Sequence, residues 1–198
     1  MTFKEPENPI MKFYTVDCDW EQLLKETQMV YRFWQDEIAQ RFQYAVPEND
    51  PTLSKNTYNL INLSTPLPEY YNLWSQVFVH IKNYYKDLNH TGPLWMHSWL
   101  NVHRAEDLNG VKESLNWHRH SYCNHHGFVH ISDKETDTIF RNGTVIKNKQ
   151  GQMYMGDARL EHRVLACGFK GIRASIGIDL LDEPQPKHFE QDTFVPIL

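Results

Sequence analysis

With 198 residues and a formal net charge of −5, the chain is long enough for one domain with a substantial core, and its acidic balance argues against nonspecific nucleic-acid binding, which shows as a basic surface. A hydrophobic content of 40% and an aromatic content of 13% are those of a globular protein, not a disordered one. No apolar run reaches bilayer length, the N-terminus carries no secretory h-region, and Cys18, Cys123 and Cys167 are dispersed without a CxxC pair, so a reduced, cytoplasmic protein with no membrane partner is expected.

Asp17 or Asp19 caps a first helix, in which Trp20, Leu23, Leu24, Thr27, Tyr31, Trp34 and Ile38 recur at helical spacing. It is expected to end near Phe42, before the turn-rich VPENDPTLSKN. Pro68, a favoured first-turn residue, opens a second helix running through YYNLWSQVFVHIKNYY to about Lys86. After NHTGP the period becomes two, and LWMHSWLNVHR (94–104) alternates as a strand does. From there short extended runs are set apart by AEDLNG, by the Asn142-Gly143 hairpin turn in FRNGTV and by KNKQGQ, and IRASIGIDLL alternates again. Two helices followed by seven or eight short strands predict an α+β chain, an antiparallel barrel or jelly roll on a helical support. One domain spanning 1–198 is expected, with 1–93 mostly helical support, 94–181 the β core and 182–198 a C-terminal tail.

The stretch WHRHSYCNHHGFVH (117–130) holds five of the eleven histidines: His118, His120, His125, His126 and His130. On a strand, residues i and i+2 project to one face, so His118 and His120 form a pair of nitrogen ligands with Arg119 directed away. A third ligand must come from elsewhere, and His162 in MGDARLEHRVL, on a later strand after a Gly-Asp turn, is the best candidate. Taken singly, each histidine of the stretch reads as a hydrogen-bonded structural residue; the pair together with His162 reads as a metal site. His125 and His126, beside Asn124 and Gly127, are set aside as loop residues. His130 in GFVHIS either supports the site or lines its pocket, whereas His80, His90, His97, His103 and His188 carry no spacing argument and read as structural. Trp95, Trp99, Trp117 and Tyr122 read as core or as pocket walls. In GIRASIGID, Arg173 and Ser175 share a strand face, where a guanidinium can pair bidentately with a carboxylate and a hydroxyl can add one more hydrogen bond.

From about Trp95 to Leu181 the chain resembles the Fe(II)/2-oxoglutarate-dependent oxygenases, and in particular their compact phage-type members. Their pattern is an HxD or HxE pair, a distal histidine well downstream and an Arg-x-Ser beyond it. Here the pair is His118-x-His120, His162 lies 162 − 120 = 42 positions on, and Gly156-Asp157, His162-x-Val164 and Arg173-x-Ser175 match. The resemblance implies a double-stranded β-helix, Fe(II) on His118, His120 and His162, 2-oxoglutarate and O₂ as co-substrates, and Arg173 with Ser175 on the distal carboxylate of 2-oxoglutarate. The implied reaction is hydroxylation of an unidentified substrate, coupled to decarboxylation of the oxoacid to succinate.

One position departs from the pattern, because position 120 carries a histidine where the family has a carboxylate. A third imidazole keeps the open coordination face but removes a negative charge, which leaves metal binding in place and puts catalysis in question. Asp157, at a turn, is a poor substitute carboxylate; Asp133 is a better one. The alternative is a three-histidine cupin-type metalloprotein, either a dioxygenase, an isomerase or a non-catalytic binder. In cupins HxH is followed by a carboxylate, whose place His125 roughly occupies. Arg173 and Ser175 favour the oxoglutarate reading, since a generic cupin has no need of them.

Overall fold

Alternation along the strand β8 (Ile172–Leu181) sorts the molecule into layers. Its even-numbered residues Ala174, Ile176, Ile178 and Leu180 are buried in a large apolar cluster, while Arg173, Ser175 and Asp179 are buried on the opposite face. A strand buried on both sides needs a layer on each, and the chain supplies helices on one and a second sheet on the other. The computed structural model describes residues 9–34, 36, 58–104, 117–134, 136–164, 172–182 and 194–197.

Among the described residues, nine strands form two antiparallel sheets. The larger has six strands in the order β1 (Met11–Thr15), β6 (Gln152–Asp157), β3 (His125–His130), β8, β2 (Trp95–Arg104) and β9 (Val195–Pro196). The smaller has the order β5 (Val145–Lys147), β4 (Asp137–Phe140) and β7 (His162–Val164). Phe128 of β3 and Tyr154 of β6 pack against Phe140, Ile146 and Leu160, joining the two sheets face to face. This is the expected α+β architecture, an antiparallel jelly roll on a helical support. The β4–β5 hairpin turns at Asn142-Gly143 as predicted: Gly143 takes φ +89°, and its N–H donates to the Phe140 carbonyl at 3.0 Å.

The other face of the large sheet is covered by α1 (Trp20–Phe33) and α3 (Pro68–Asp87), with the short α2 (Leu60–Ser64) between them in sequence. Asp19 caps α1 by accepting from the Gln22 N–H at 3.1 Å. On α3, Tyr70, Leu73, Trp74, Val77, Ile81 and Tyr84 recur at helical spacing and are buried against Met96, Leu100, Val129, Met153 and Met155. Each large aliphatic side chain so buried contributes about 1.5–3 kcal/mol. Pro68 starts α3, but Leu67 gives it no side-chain cap; the buried Glu26 of α1 does so instead, accepting from the N–H groups of Glu69 and Tyr70, each at 3.1 Å.

Three elements were not anticipated. β1 adds an edge strand from within the N-terminal segment read as helical support, β9 pairs with β2 from within the segment read as a tail, and α2 precedes the second predicted helix. The predicted end of the first helix near Phe42, Cys167 and His188 lie outside the described residues.

Candidate metal centre

His118 and His162 meet through the backbone before they meet through their rings. The two residues form a single antiparallel bridge, the His118 N–H donating to the His162 carbonyl at 3.1 Å and the reverse bond measuring 2.9 Å. The predicted strand placement of the HxH pair is therefore corrected: only His118 pairs, and the His120 N–H turns to the Ala158 carbonyl at 2.9 Å. The reason lies in the partner chain segment. Before His162 the backbone is already turning, with Leu160 N–H on the Asp157 carbonyl, so no second rung is available. The extended backbone still leaves the His118 and His120 rings on one side, with centroids 5.5 Å apart.

The three predicted ligands converge. Each of His118, His120 and His162 offers a nitrogen, and these atoms lie within 4.8 Å of one another, with His120 and His162 buried and His118 half-buried. The ring centroids are 4.4 Å apart for His118 and His162, and 5.5 Å apart for His120 and His162. Two of the rings are anchored through Nδ1, which makes Nε2 the nitrogen that can reach a metal: His162 Nδ1 donates to the Leu160 carbonyl at 3.1 Å, and His120 Nδ1 donates to Asp179. Burial first, then the neighbouring His126, His120 and His118, hold the His162 imidazole well below the usual histidine range, so it is neutral and able to ligate.

The site also holds residues that the spacing argument missed. His126, set aside as a loop residue, is buried and stacks on His120 with centroids 3.7 Å apart and planes 13° from parallel. Its Nδ1 lies 2.7 Å from Asp179 Oδ1, and His120 Nδ1 lies 3.0 Å from the same oxygen. His120, His126 and Asp179 thus form a second potential metal-holding group sharing His120 with the first. The signal was the period of two in HHGFVH, which puts His126, Phe128 and His130 on one face, with His126 in register with Asp179. Burial would push the Asp179 carboxyl up, but His120 and His126 beside it hold it well below the usual carboxylate range. Tyr122 also donates its hydroxyl to Asp179. Trp99 closes this end, stacked on His120 and His126 at 5.7 and 6.0 Å. It crosses β8 at Gly177, where an added Cβ would lie 2.3 Å from the indole.

His125 points the other way, its Nδ1 2.9 Å from the Tyr84 hydroxyl and its ring against Tyr84 and Tyr85 of α3, away from the place a cupin carboxylate would take. Asp133 is exposed and belongs to neither histidine group. Asp157 serves the turn, accepting from the Arg159 N–H and Nε, each at 2.9 Å. Of the other aromatic residues, Trp95 packs beside Cys123, Ala158, Leu181 and Phe194, and Trp117 faces the guanidinium groups of Arg141 and Arg163.

Further along the same inner face lie Arg173 and Ser175, both buried. Arg173 Nε donates to Thr136 Oγ1 at 2.9 Å, and burial pushes its guanidinium down to about 10, still cationic at neutral pH. An ion pair between Arg173 and Asp179 does not suit the strand: six residues at about 3.3 Å each separate them by roughly 20 Å. His130, in register with Ser175, is fully buried, and neither of its ring nitrogens meets a hydrogen-bond partner among the described residues. Burial and then the Arg173 charge push its imidazole down to about 3. A stripe of His126, Phe128 and His130 therefore runs from the histidine cluster to the buried arginine.

No family model and no curated protein matches the chain. Among solved structures it is similar to a full-length Neurospora crassa protein in complex with alpha-KG, with a TM-score of 0.49 and 12% identity over 94% of this chain and 82% of that one.

Proposed function

We propose that the chain is an Fe(II)/2-oxoglutarate-dependent dioxygenase that hydroxylates a substrate yet to be identified. The observation that carries this reading is one inner face with three converging imidazoles, His118, His120 and His162, at one end and the buried Arg173 and Ser175 further in. The donor set fits a divalent first-row metal: three imidazoles, two of them oriented through Nδ1. Bound there, Fe(II) would supply the redox chemistry that couples O₂ to decarboxylation of the oxoacid. His118, His120 and His162 hold the metal, and Arg173, assisted by Ser175, binds the distal carboxylate of 2-oxoglutarate. Trp99, against His120 and His126, and Phe128, against His126 and His130, give this face apolar walls. No described helix is long and apolar enough to cross a membrane, and cytoplasmic action is part of the proposal.

One observation favours a second reading. The group that combines His118, His120 and His162 contains no carboxylate, which also suits a three-histidine cupin-type metalloprotein, catalytic or purely binding. Anaerobic titration of the Fe(II)-loaded protein with 2-oxoglutarate separates the two, because a metal-to-ligand charge-transfer band forms only if the oxoacid chelates the metal. The band should appear in the native protein. Arg173→Ala should take up Fe(II) normally yet lose the band at matched oxoacid concentration. A buried carboxylate deprived of its partner costs about 3–5 kcal/mol, roughly two to four orders of magnitude in affinity. An oxoacid affinity in Arg173→Ala within a few-fold of native would sink the clamp assignment.

A further inference from the structure

We infer that Asp179 supplies, from β8 and through two imidazoles, the negative charge that position 120 does not. The inference rests on the metal reading above and concerns a residue that the HxH…H pattern leaves out. A fully buried carboxylate is costly unless strongly hydrogen-bonded. Asp179 is held by His120 Nδ1 at 3.0 Å, His126 Nδ1 at 2.7 Å and the Tyr122 hydroxyl. His126 Nδ1 meets Oδ1, His120 Nδ1 lies between the two carboxylate oxygens, 3.0 Å from Oδ1 and 3.1 Å from Oδ2, and the two rings lie nearly parallel.

A ligating imidazole whose second nitrogen donates to a carboxylate is fixed in tautomer and orientation, and becomes a stronger donor. His120 joined to Asp179 therefore delivers to the metal part of what a directly ligating carboxylate would. His126 shares the carboxylate, packs flat on His120 and prevents that ring from rotating. Asp179 is on this account a positioning residue. Trp99 is part of the same device, since it stacks on both rings and crosses β8 at Gly177, two residues from Asp179. The competing arrangement, with the metal on His120, His126 and Asp179 directly, would have to displace the hydrogen bonds that both imidazoles make to the carboxylate.

The experiment measures Fe(II) affinity anaerobically, by competition with a chromophoric chelator, for the native protein, Asp179→Asn, Asp179→Glu and His162→Ala. Asp179→Asn should still bind one equivalent, with affinity reduced about 10–100-fold, and Asp179→Glu should recover part of the loss. Because an amide buried at this position can prevent folding, the native protein is also loaded with Zn(II), and its histidine side chains are followed by ¹⁵N–¹H spectroscopy. His120 and His126 should carry hydrogen-bonded protons on Nδ1, with His120 Nε2 on the metal. An affinity of Asp179→Asn within about twofold of native overturns the inference. So does ligation of His120 through Nδ1, or metal uptake that survives His162→Ala but not Asp179→Asn. Native protein that takes up no metal overturns the metal reading beneath it, whereas native uptake with an unaffected Asp179→Asn overturns this inference alone.

Discussion

His130 occupies an uncomfortable place for a titratable residue, fully buried and next to a buried guanidinium. Its folded-state value of about 3 lies below the 6.5 of a free imidazole, so below pH 6.5 the unfolded chain takes up a proton that the folded chain does not. Its contribution to stability is therefore fully present above pH 6.5 and is lost as pH falls from 6.5 towards 3, by up to about 1.4 kcal/mol per pH unit. Urea unfolding of the native protein and of His130→Phe across this range should show the shallower acid dependence in the variant. Parallel curves would mean that His130 takes up its proton in the fold. The residue was legible in the sequence only as a neighbour of the site, because nothing in GFVHIS announces which strand lies alongside.

Elements with strong local signals were read correctly, and those defined by their partners were not. Pro68 and the helical spacing behind it locate α3, and the Asn142-Gly143 turn locates the β4–β5 hairpin. β1 escaped because MKFYT is a half-exposed edge strand, paired on one side and without clean alternation. His126 escaped because its neighbours Asn124 and Gly127 are turn-forming residues, whereas its burial depends on β8 supplying Asp179 across the sheet. The cap of α3 is a further long-range device, since no residue near Leu67 indicates that Glu26 satisfies its first N–H groups. Glu26→Ala leaves the Tyr70 N–H buried without this acceptor and should cost about 1–3 kcal/mol. Chemical denaturation measures it; a change below about 0.5 kcal/mol, the level of an ordinary surface substitution, would show that the cap is dispensable.

At the scale of the whole molecule, the helices, the six-stranded sheet and the three-stranded sheet make three layers with two unequal interiors. The helical side has an extensive apolar core. The small sheet is held by Phe140, Ile146 and Leu160 against Phe128 and Tyr154, next to a largely polar face of buried histidines, Arg173 and Asp179. The polar interior was legible as chemistry, because HxH, the distal histidine and Arg-x-Ser are spaced motifs. Its cost was not, since that depends on how many of those groups end up on one face.

The lone backbone bridge between His118 and His162 has a bearing on how the molecule opens. Proteins unfold in parts, and the part with the fewest apolar contacts opens first. Here that part is β4, β5 and β7. An ion held by His118, His120 and His162, as proposed above, would act as a cross-link at the margin of this unit, tying β7 to the segment beside it. Native-state hydrogen exchange should then divide the molecule in two. Chelating the metal should speed exchange of the β4 and β7 amides, while those at the β2–β8 pairing, backed by the helical core, keep their protection. Equal acceleration everywhere would mean that the ion stabilises the fold as one cooperative block. Exchange confined to the small sheet would mean that metal occupancy sets how often the wall of the site swings open to solvent.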